Sequence, residues 1–349
     1  MIRRLRQRYQ TKVDFEALLT AVTAIRAQHA VLDVCVKPTG YSWLGVRTAA
    51  YSLFPHNTVE IPQYYSQQLL TDKQLTQLGE HIGRLQFHTL VYSGYNAYFS
   101  QISAAALRVH PALRIAWIHH GFPAELSGNP VMANIFGRAI HDYKNGHIHK
   151  VGLIKKNWEL LFGPLYGIPA QHLLNKVPIS NPVPPPQQLR IGVLLNDGFR
   201  KNQITQVMAA AAIPQATVVI NHENGVKALL PYTDFDIVGS LDHAAFLRVL
   251  GGCTVNSHIT FSEASGGNVL AESLAMGVPC LSGLTHGWLD ENPTLLEALT
   301  VTRADDAWAI RQKMMEVIER RAELSPLCVT HAQKMNDKAD KLLATFLAP

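Results

Sequence analysis

The sequence predicts an α/β protein with parallel sheets in two domains, and three observations predict it. Short apolar runs alternate with helix-period segments along the chain. One proline-rich break, Val177-Pro-Ile-Ser-Asn-Pro-Val-Pro-Pro-Pro-Gln-Gln188, divides those segments into two sets. The length of 349 residues exceeds one ordinary domain and suits two.

The first set opens with helical periodicity from Asp14 to Gln28, where Phe15, Leu18, Leu19, Val22 and Ile25 share a face. Ala30 to Val36 reads as a short apolar strand ending in Lys37-Pro38-Thr39-Gly40, and Trp43 to Leu53 as a helix. His88 to Ser93 is a strand, Ala97 to Val109 a helix, and Arg114 to Ile118 a strand ending in His119-His120-Gly121. Strands alternating with helices imply a parallel sheet, with ligands at the carboxyl ends of its strands.

The five prolines of the break exclude a helix or a central strand, so the segment reads as a semi-rigid connector. Beyond it, Leu189 to Leu195 is a strand, Gln203 to Ala212 a helix and Ala216 to Ile220 a strand. Phe235 to Val238, Thr254-Val255 and the residues around Cys280 are further short strands, with a helix from His243 to Leu250. Ala304 to Leu347 is mostly helical, with a break expected near Pro326. The expected division is 1–180, a linker at 181–188, 189–330, and a closing helix at 331–349.

Hydrophobic content of 47% and charged content of 16% suit a globular protein with sizeable cores. No apolar run reaches the length of a membrane span, and no secretory signal is visible. Cys35, Cys253, Cys280 and Cys328 are scattered in apolar surroundings and read as buried thiols of a reducing compartment. The expected location is cytoplasmic. The net charge of +5 is uneven, because Arg3, Arg4, Arg6, Arg8 and Lys12 crowd the amino end. That cluster suits a peripheral contact with anionic lipid at the cytoplasmic membrane face. It equally suits a solvated tail. Nucleic acid is a poor partner, since no reader motif or aromatic-basic interleaving accompanies the cluster.

The chemistry concentrates in Phe261-Ser-Glu-Ala-Ser-Gly-Gly-Asn-Val-Leu-Ala-Glu-Ser-Leu-Ala-Met-Gly-Val-Pro-Cys-Leu281. Gly266 and Gly267 permit close backbone approach to a ligand, and a helix starting near Gly267 offers N–H groups to an anion. Glu272, on that helix, can accept hydrogen bonds from sugar hydroxyls. An amide nest for a diphosphate and a carboxylate for hydroxyls together describe a nucleotide-sugar site.

This segment resembles the donor motif of retaining glycosyltransferases with two Rossmann-like domains, the GT-B type, and of glycosyltransferase family 4 in particular. The family pattern is Glu, seven residues, Glu, then a helix ending in Ala-x-Gly-x-Pro; here eight residues separate Glu263 from Glu272. The resemblance implies two Rossmann-like domains facing a central cleft, acceptor in the first and donor in the second, with a C-terminal helix crossing back to the first. It also implies that Glu263 and the following Ser265, Gly266, Gly267, Asn268 and Val269 hold the donor sugar and phosphates, while Glu272 takes the ribose.

Asn196-Asp-Gly-Phe-Arg-Lys-Asn202 resembles the family's diphosphate-binding segment, with Lys201 and Asn202 at its Lys position. The family's Arg stands earlier, where this chain has Asn196 or Asp197, so Arg200 is its expected replacement. His120 is the expected sugar-facing histidine, with His119 the alternative. Gly40, in Gly40-Tyr-Ser-Trp-Leu-Gly45, matches the family's first-domain glycine loop or serves as an ordinary turn. The loops Asn221 to Gly225 and Val238 to Leu241 are candidates for base recognition.

The expected activity is metal-independent transfer of a sugar from a nucleotide diphosphate to a glycan, glycolipid or protein acceptor. His120, Lys201 and Glu263 are the catalytic candidates, and no cofactor is expected besides the donor itself. A nucleotide-sugar epimerase, or a silent nucleotide-sugar-binding partner of another transferase, are the alternatives. Asp234-Phe-Asp236 and His147-Ile-His149 have metal-binding forms but read as coincidental. Tyr41, Trp43, Tyr51, Tyr64 and Tyr65 could line an acceptor groove or be ordinary core and surface.

Overall fold

The computed structural model describes residues 14–38, 44–64, 67–96, 98–179, 183–195, 199–223, 225–263, 267–284 and 287–348. The chain forms two compact units: Met1–Leu173 with Leu342–Pro349, and Leu174–Lys341.

The first unit runs α1 (Phe15–Arg26), β1 (Val31–Pro38), α2 (Leu44–Leu53), β2 (Thr58–Tyr64), β3 (Gln67–Gln68), α3 (Asp72–Arg84), β4 (Thr89–Ser93) and α4 (Phe99–Val109). It continues with β5 (Arg114–His119), α5 (Pro123–Gly128), α6 (Pro130–Lys144), β6 (Lys150–Leu153), α7 (Glu159–Tyr166) and β7 (Ala170–His172). The sheet order is β3-β2-β1-β4-β5-β6-β7. All pairs are parallel except β2 with β3. Helices cover both faces, so the strands are continuous apolar runs; Leu90, Tyr92, Ile115 and Trp117 are all buried. Asp33 is a buried carboxylate within this core. It accepts from Ser93 Oγ at 2.8 Å and Thr58 Oγ1 at 2.9 Å, and so ties β4 and β2 to β1.

The second unit runs β8 (Arg190–Val193), a 3₁₀ turn (Phe199–Lys201), α8 (Gln203–Ala211), β9 (Thr217–Ile220), α9 (Val226–Leu229), β10 (Phe235–Ile237), α10 (His243–Gly251) and β11 (Val255–His258). Then come α11 (Gly267–Ala275), β12 (Cys280–Gly283), α12 (Pro293–Leu299), β13 (Thr300–Val301), α13 (Ala307–Glu319) and α14 (Arg321–Leu347). Its sheet is parallel throughout, in the order β10-β9-β8-β11-β12-β13. That is the doubly wound Rossmann order, which reverses between β8 and β11.

Within the proline-rich segment, Val183 is held to the second unit. Val183 N–H donates to Met276 O at 3.1 Å, and Val183 packs against the core around Leu250 and Val278. α14 is shared, because its residues from Leu342 count with the first unit. There Gln171 Nε2 donates to Leu342 O at 3.0 Å and Lys150 Nζ to Phe346 O at 3.1 Å.

The expected break near Pro326 is not where the helix stops. The interruption falls at Arg320, and Pro326 lies inside α14. Since α14 starts at Arg321, Pro326 is in its second turn and removes one backbone bond just past the turn whose N–H groups lack partners anyway. All four cysteines are free and buried.

Candidate functional site

The reversal of strand order in the second unit places the loops after β8 and β11 side by side, and both carry charge. Arg200 and Lys201 occupy the 3₁₀ turn after β8. Glu263 follows β11 and is 8% exposed. Arg200 Nη1 donates to Glu263 Oε2 at 3.2 Å and to Ser262 O at 3.3 Å, and Lys201 Nζ pairs with the same carboxylate oxygen. Phe261 N–H donates to Arg200 O at 3.0 Å, which fastens the two loops through the backbone as well.

His258, at the end of β11, completes the cluster with Nε2 3.6 Å from Glu263 Oε2. Burial would push the Glu263 carboxyl up, but His258, Lys201 and Arg200 together outweigh burial and hold it well below the usual carboxylate range. Burial, aided by the neighbouring cations, lowers the His258 imidazole against the pull of Glu263, so it is neutral near pH 7. Two cations and one carboxylate leave the cluster at +1. That residual charge lies beside the amino end of α11, where first-turn N–H groups have no partner within the helix. The arrangement suits a bound anion.

Gly267 is required where it stands. Its φ is +58°, and a Cβ there would lie 3.1 Å from His258 Cδ2 and closer still to Nε2. Asn268 Oδ1 accepts from Asn175 Nδ2 at 3.4 Å, whereas Val269 packs against the apolar cluster around Leu250. Glu272, one turn along, is 2% exposed and bonds His243 Nε2 through Oε1 at 2.7 Å. Desolvation raises the Glu272 carboxyl despite that bond, and the bond raises the His243 imidazole.

Three of these residues escaped the sequence reading. His258 and His243 are the first two, and Gln206 is the third. Fully buried on α8, Gln206 donates through Nε2 to the carbonyls of Lys201, Asn202 and Ile259 at 2.9–3.0 Å. Its Oε1 accepts from Ser257 Oγ at 2.8 Å and Ile259 N–H at 2.9 Å. One side chain therefore clamps both charged loops. Asn202 itself has φ +53° and donates to Ala304 O, so it shapes the turn from beneath.

The first unit gives the two candidate histidines, His119 and His120, different settings. His119 ends β5 inside a cage of Trp117, Phe136 and Trp158, with ring centroids 5.2–5.3 Å away. Burial pushes its imidazole down to about 3, so it is a neutral core residue. His120, just past the strand, is 9% exposed. His147 lies 3.5 Å from Asp142, and His149 Nδ1 accepts from Ile115 N–H; both precede β6 rather than lying on it. Asp236 is paired with Arg190 at 2.5 Å. Among the described residues no three metal-ligating side chains converge. Gly40, Tyr41, Trp43, Tyr65, Asn196, Asp197, Asn224, Ser265 and Gly266 lie outside the described residues, as do the basic residues of the amino end.

No protein-family model matches the sequence, and no curated protein matches it. Solved structures do match in shape. Anabaena HepE, crystallised with UDP and glucose, superposes with a TM-score of 0.62 at 11% identity, over 89% of this chain and 99% of that one. A glycosyltransferase from Rickettsia africae gives 0.56 at 12% identity, over 92% and 95% of the two chains. OtsA without ligand gives 0.56 at 10% identity, over 91% and 99%. At such identities the likeness speaks for architecture, and with the two sheets described above it establishes an α/β fold of two Rossmann-like units, the GT-B fold.

Proposed function

We propose that the protein is a retaining glycosyltransferase that moves a sugar from a nucleotide diphosphate to a glycan, glycolipid or protein acceptor. The observation that carries this is the Arg200–Lys201–Glu263 cluster at the strand-order reversal of a Rossmann unit, where such folds bind nucleotides. The neighbours' names support it, since HepE was crystallised with UDP-glucose and the Rickettsia protein is named a glycosyltransferase.

In this reading Arg200 and Lys201 take the diphosphate and Glu263 orients the transferred sugar. Glu272, steadied by His243, accepts from the ribose hydroxyls. The bond from the anomeric carbon to the diphosphate oxygen breaks while the acceptor oxygen bonds the same face of that carbon. The acceptor's proton passes to a departing diphosphate oxygen. Arg200 and Lys201 supply the positive charge the leaving group requires, so the proposed reaction is metal-independent. The first unit, with His120 just past β5, is assigned most of the acceptor's contacts.

A donor-hydrolysis and transfer assay over a panel of nucleotide sugars tests the proposal. Turnover that falls at least tenfold in Lys201→Ala supports it. Nucleotide binding without turnover on any donor and acceptor would favour the silent partner, and donor conversion without transfer the epimerase.

An acceptor at a membrane face is part of the proposal and rests on α7. Leu160, Leu161 and Leu165 are 67%, 52% and 61% exposed on one side of that helix, which follows Lys155 and Lys156. An apolar stripe beside basic residues suits an anionic bilayer surface. Co-sedimentation with phosphatidylglycerol vesicles, lost in Leu160→Ser/Leu161→Ser, is expected; equal sedimentation of that variant would remove α7 from the contact. No described helix is long and apolar enough to cross a membrane.

A further inference from the structure

Two phenylalanines stand in water beside the charged cluster. Phe199 is 88% exposed and Phe261 37% exposed, and their ring centroids are 5.1 Å apart with planes inclined by 31°. They come from different loops. Phe199 opens the 3₁₀ turn that carries Arg200 and Lys201, and Phe261 stands two residues before Glu263. The bonds from Phe261 N–H to Arg200 O and from Arg200 to Ser262 O fasten both loops. The aromatic pair is thus fixed to the same frame as the cations and the carboxylate. Single exposed apolar side chains are ordinary, but a paired, framed and solvent-facing one beside a polar site needs an occupant.

We propose that Phe199 and Phe261 form a platform that stacks the apolar face of a carbohydrate ring belonging to the acceptor. The inference deepens the transferase reading and rests on it. One face of a pyranose presents C–H bonds of slight positive charge, and the negative face of an aromatic ring attracts them. Position selects the acceptor over the nucleobase. Glu272 and His243 mark the nucleoside end of the proposed donor, whereas the phenylalanines adjoin Arg200, assigned to the diphosphate, and Glu263, assigned to the transferred sugar.

The experiment titrates wild type, Phe199→Ala, Phe199→Trp and the Phe199→Ala/Phe261→Ala pair with UDP, GDP and ADP by calorimetry. Methyl glycosides of glucose, galactose, mannose and N-acetylglucosamine are then added at saturating nucleotide and read by saturation-transfer NMR. Phe199 is exposed, so its variants are expected to unfold with the wild-type midpoint. The expected result is nucleotide affinity within twofold across all variants and a glycoside signal in wild type. That signal falls at least fivefold in Phe199→Ala and returns in Phe199→Trp. An unchanged signal in the double variant, or none in wild type with any glycoside, overturns the platform. A drop of more than fivefold in nucleotide affinity in the double variant assigns the pair to the base and also overturns it. Wild type that binds a glycoside through Phe199 but no nucleotide keeps the platform and removes the donor reading instead.

Discussion

His243 Nε2 and Glu272 Oε1 are 2.7 Å apart, one on a half-buried ring and the other on a buried carboxylate. The bond raises the imidazole above 6.5, so its contribution to stability is complete below that pH and is lost as the pH rises through the higher folded value. Burial raises Glu272 above 4.5, which also removes stability as the pH climbs. An NMR titration of His243 is expected to show a pKa above 6.5 that falls in Glu272→Gln.

If Glu272 accepts from ribose, Glu272→Ala should weaken nucleotide diphosphate binding by about 1–3 kcal/mol, the cost of one carboxylate hydrogen bond. Calorimetric titration checks this. Unchanged affinity in a folded variant would remove the ribose assignment.

Gly267→Ala should cost about 1–3 kcal/mol in urea unfolding, from the positive φ together with the clash against His258. His258→Ala removes the clash but not the backbone strain. The double variant should therefore be more stable than the two single losses predict, with a coupling on the order of 1 kcal/mol. Strict additivity would mean the ring yields freely.

Asp33 is fully buried between strands, and burial lifts its carboxyl to about 7 despite the bonds from Ser93 and Thr58. A raised acid destabilises once its unfolded counterpart ionises, so stability should fall between roughly pH 4 and 7, by on the order of 4 kcal/mol. Asp33→Asn should flatten that slope in pH-resolved denaturant melts. An equally steep slope in the variant would place the titration elsewhere. Glu263 acts oppositely, since its lowered pKa keeps its contribution until strongly acidic pH.

Much of the architecture was legible because parallel strands buried on both faces are short apolar runs, as at Val31, Thr89 and Arg114. The sequence pattern shows only Thr254-Val255 of β11, since Asn256, Ser257 and His258 are polar yet buried. Their burial depends on partners far away in sequence, such as Gln206 at 51 residues from Ser257. α3 is absent from the expected elements, yet Thr71 and Gln74 form a capping box, a signal the sequence displays. β2 was hidden by Pro62 among polar neighbours. Within the site, the glycines and carboxylates of the α11 segment stood out by spacing. His243 reaches Glu272 across 29 residues, through the packing of α10 on α11, and no local pattern announces that.

The central claim is that Arg200 and Lys201 bind the diphosphate of a nucleotide, and calorimetric titration of UDP, GDP and ADP into wild type and Lys201→Ala tests it most directly. Saturable binding of one nucleotide, weakened about tenfold or more in the variant, is predicted, because a charge-assisted bond contributes about 1.5–3 kcal/mol. Absence of binding for all three, or equal affinity in a folded Lys201→Ala, would contradict it.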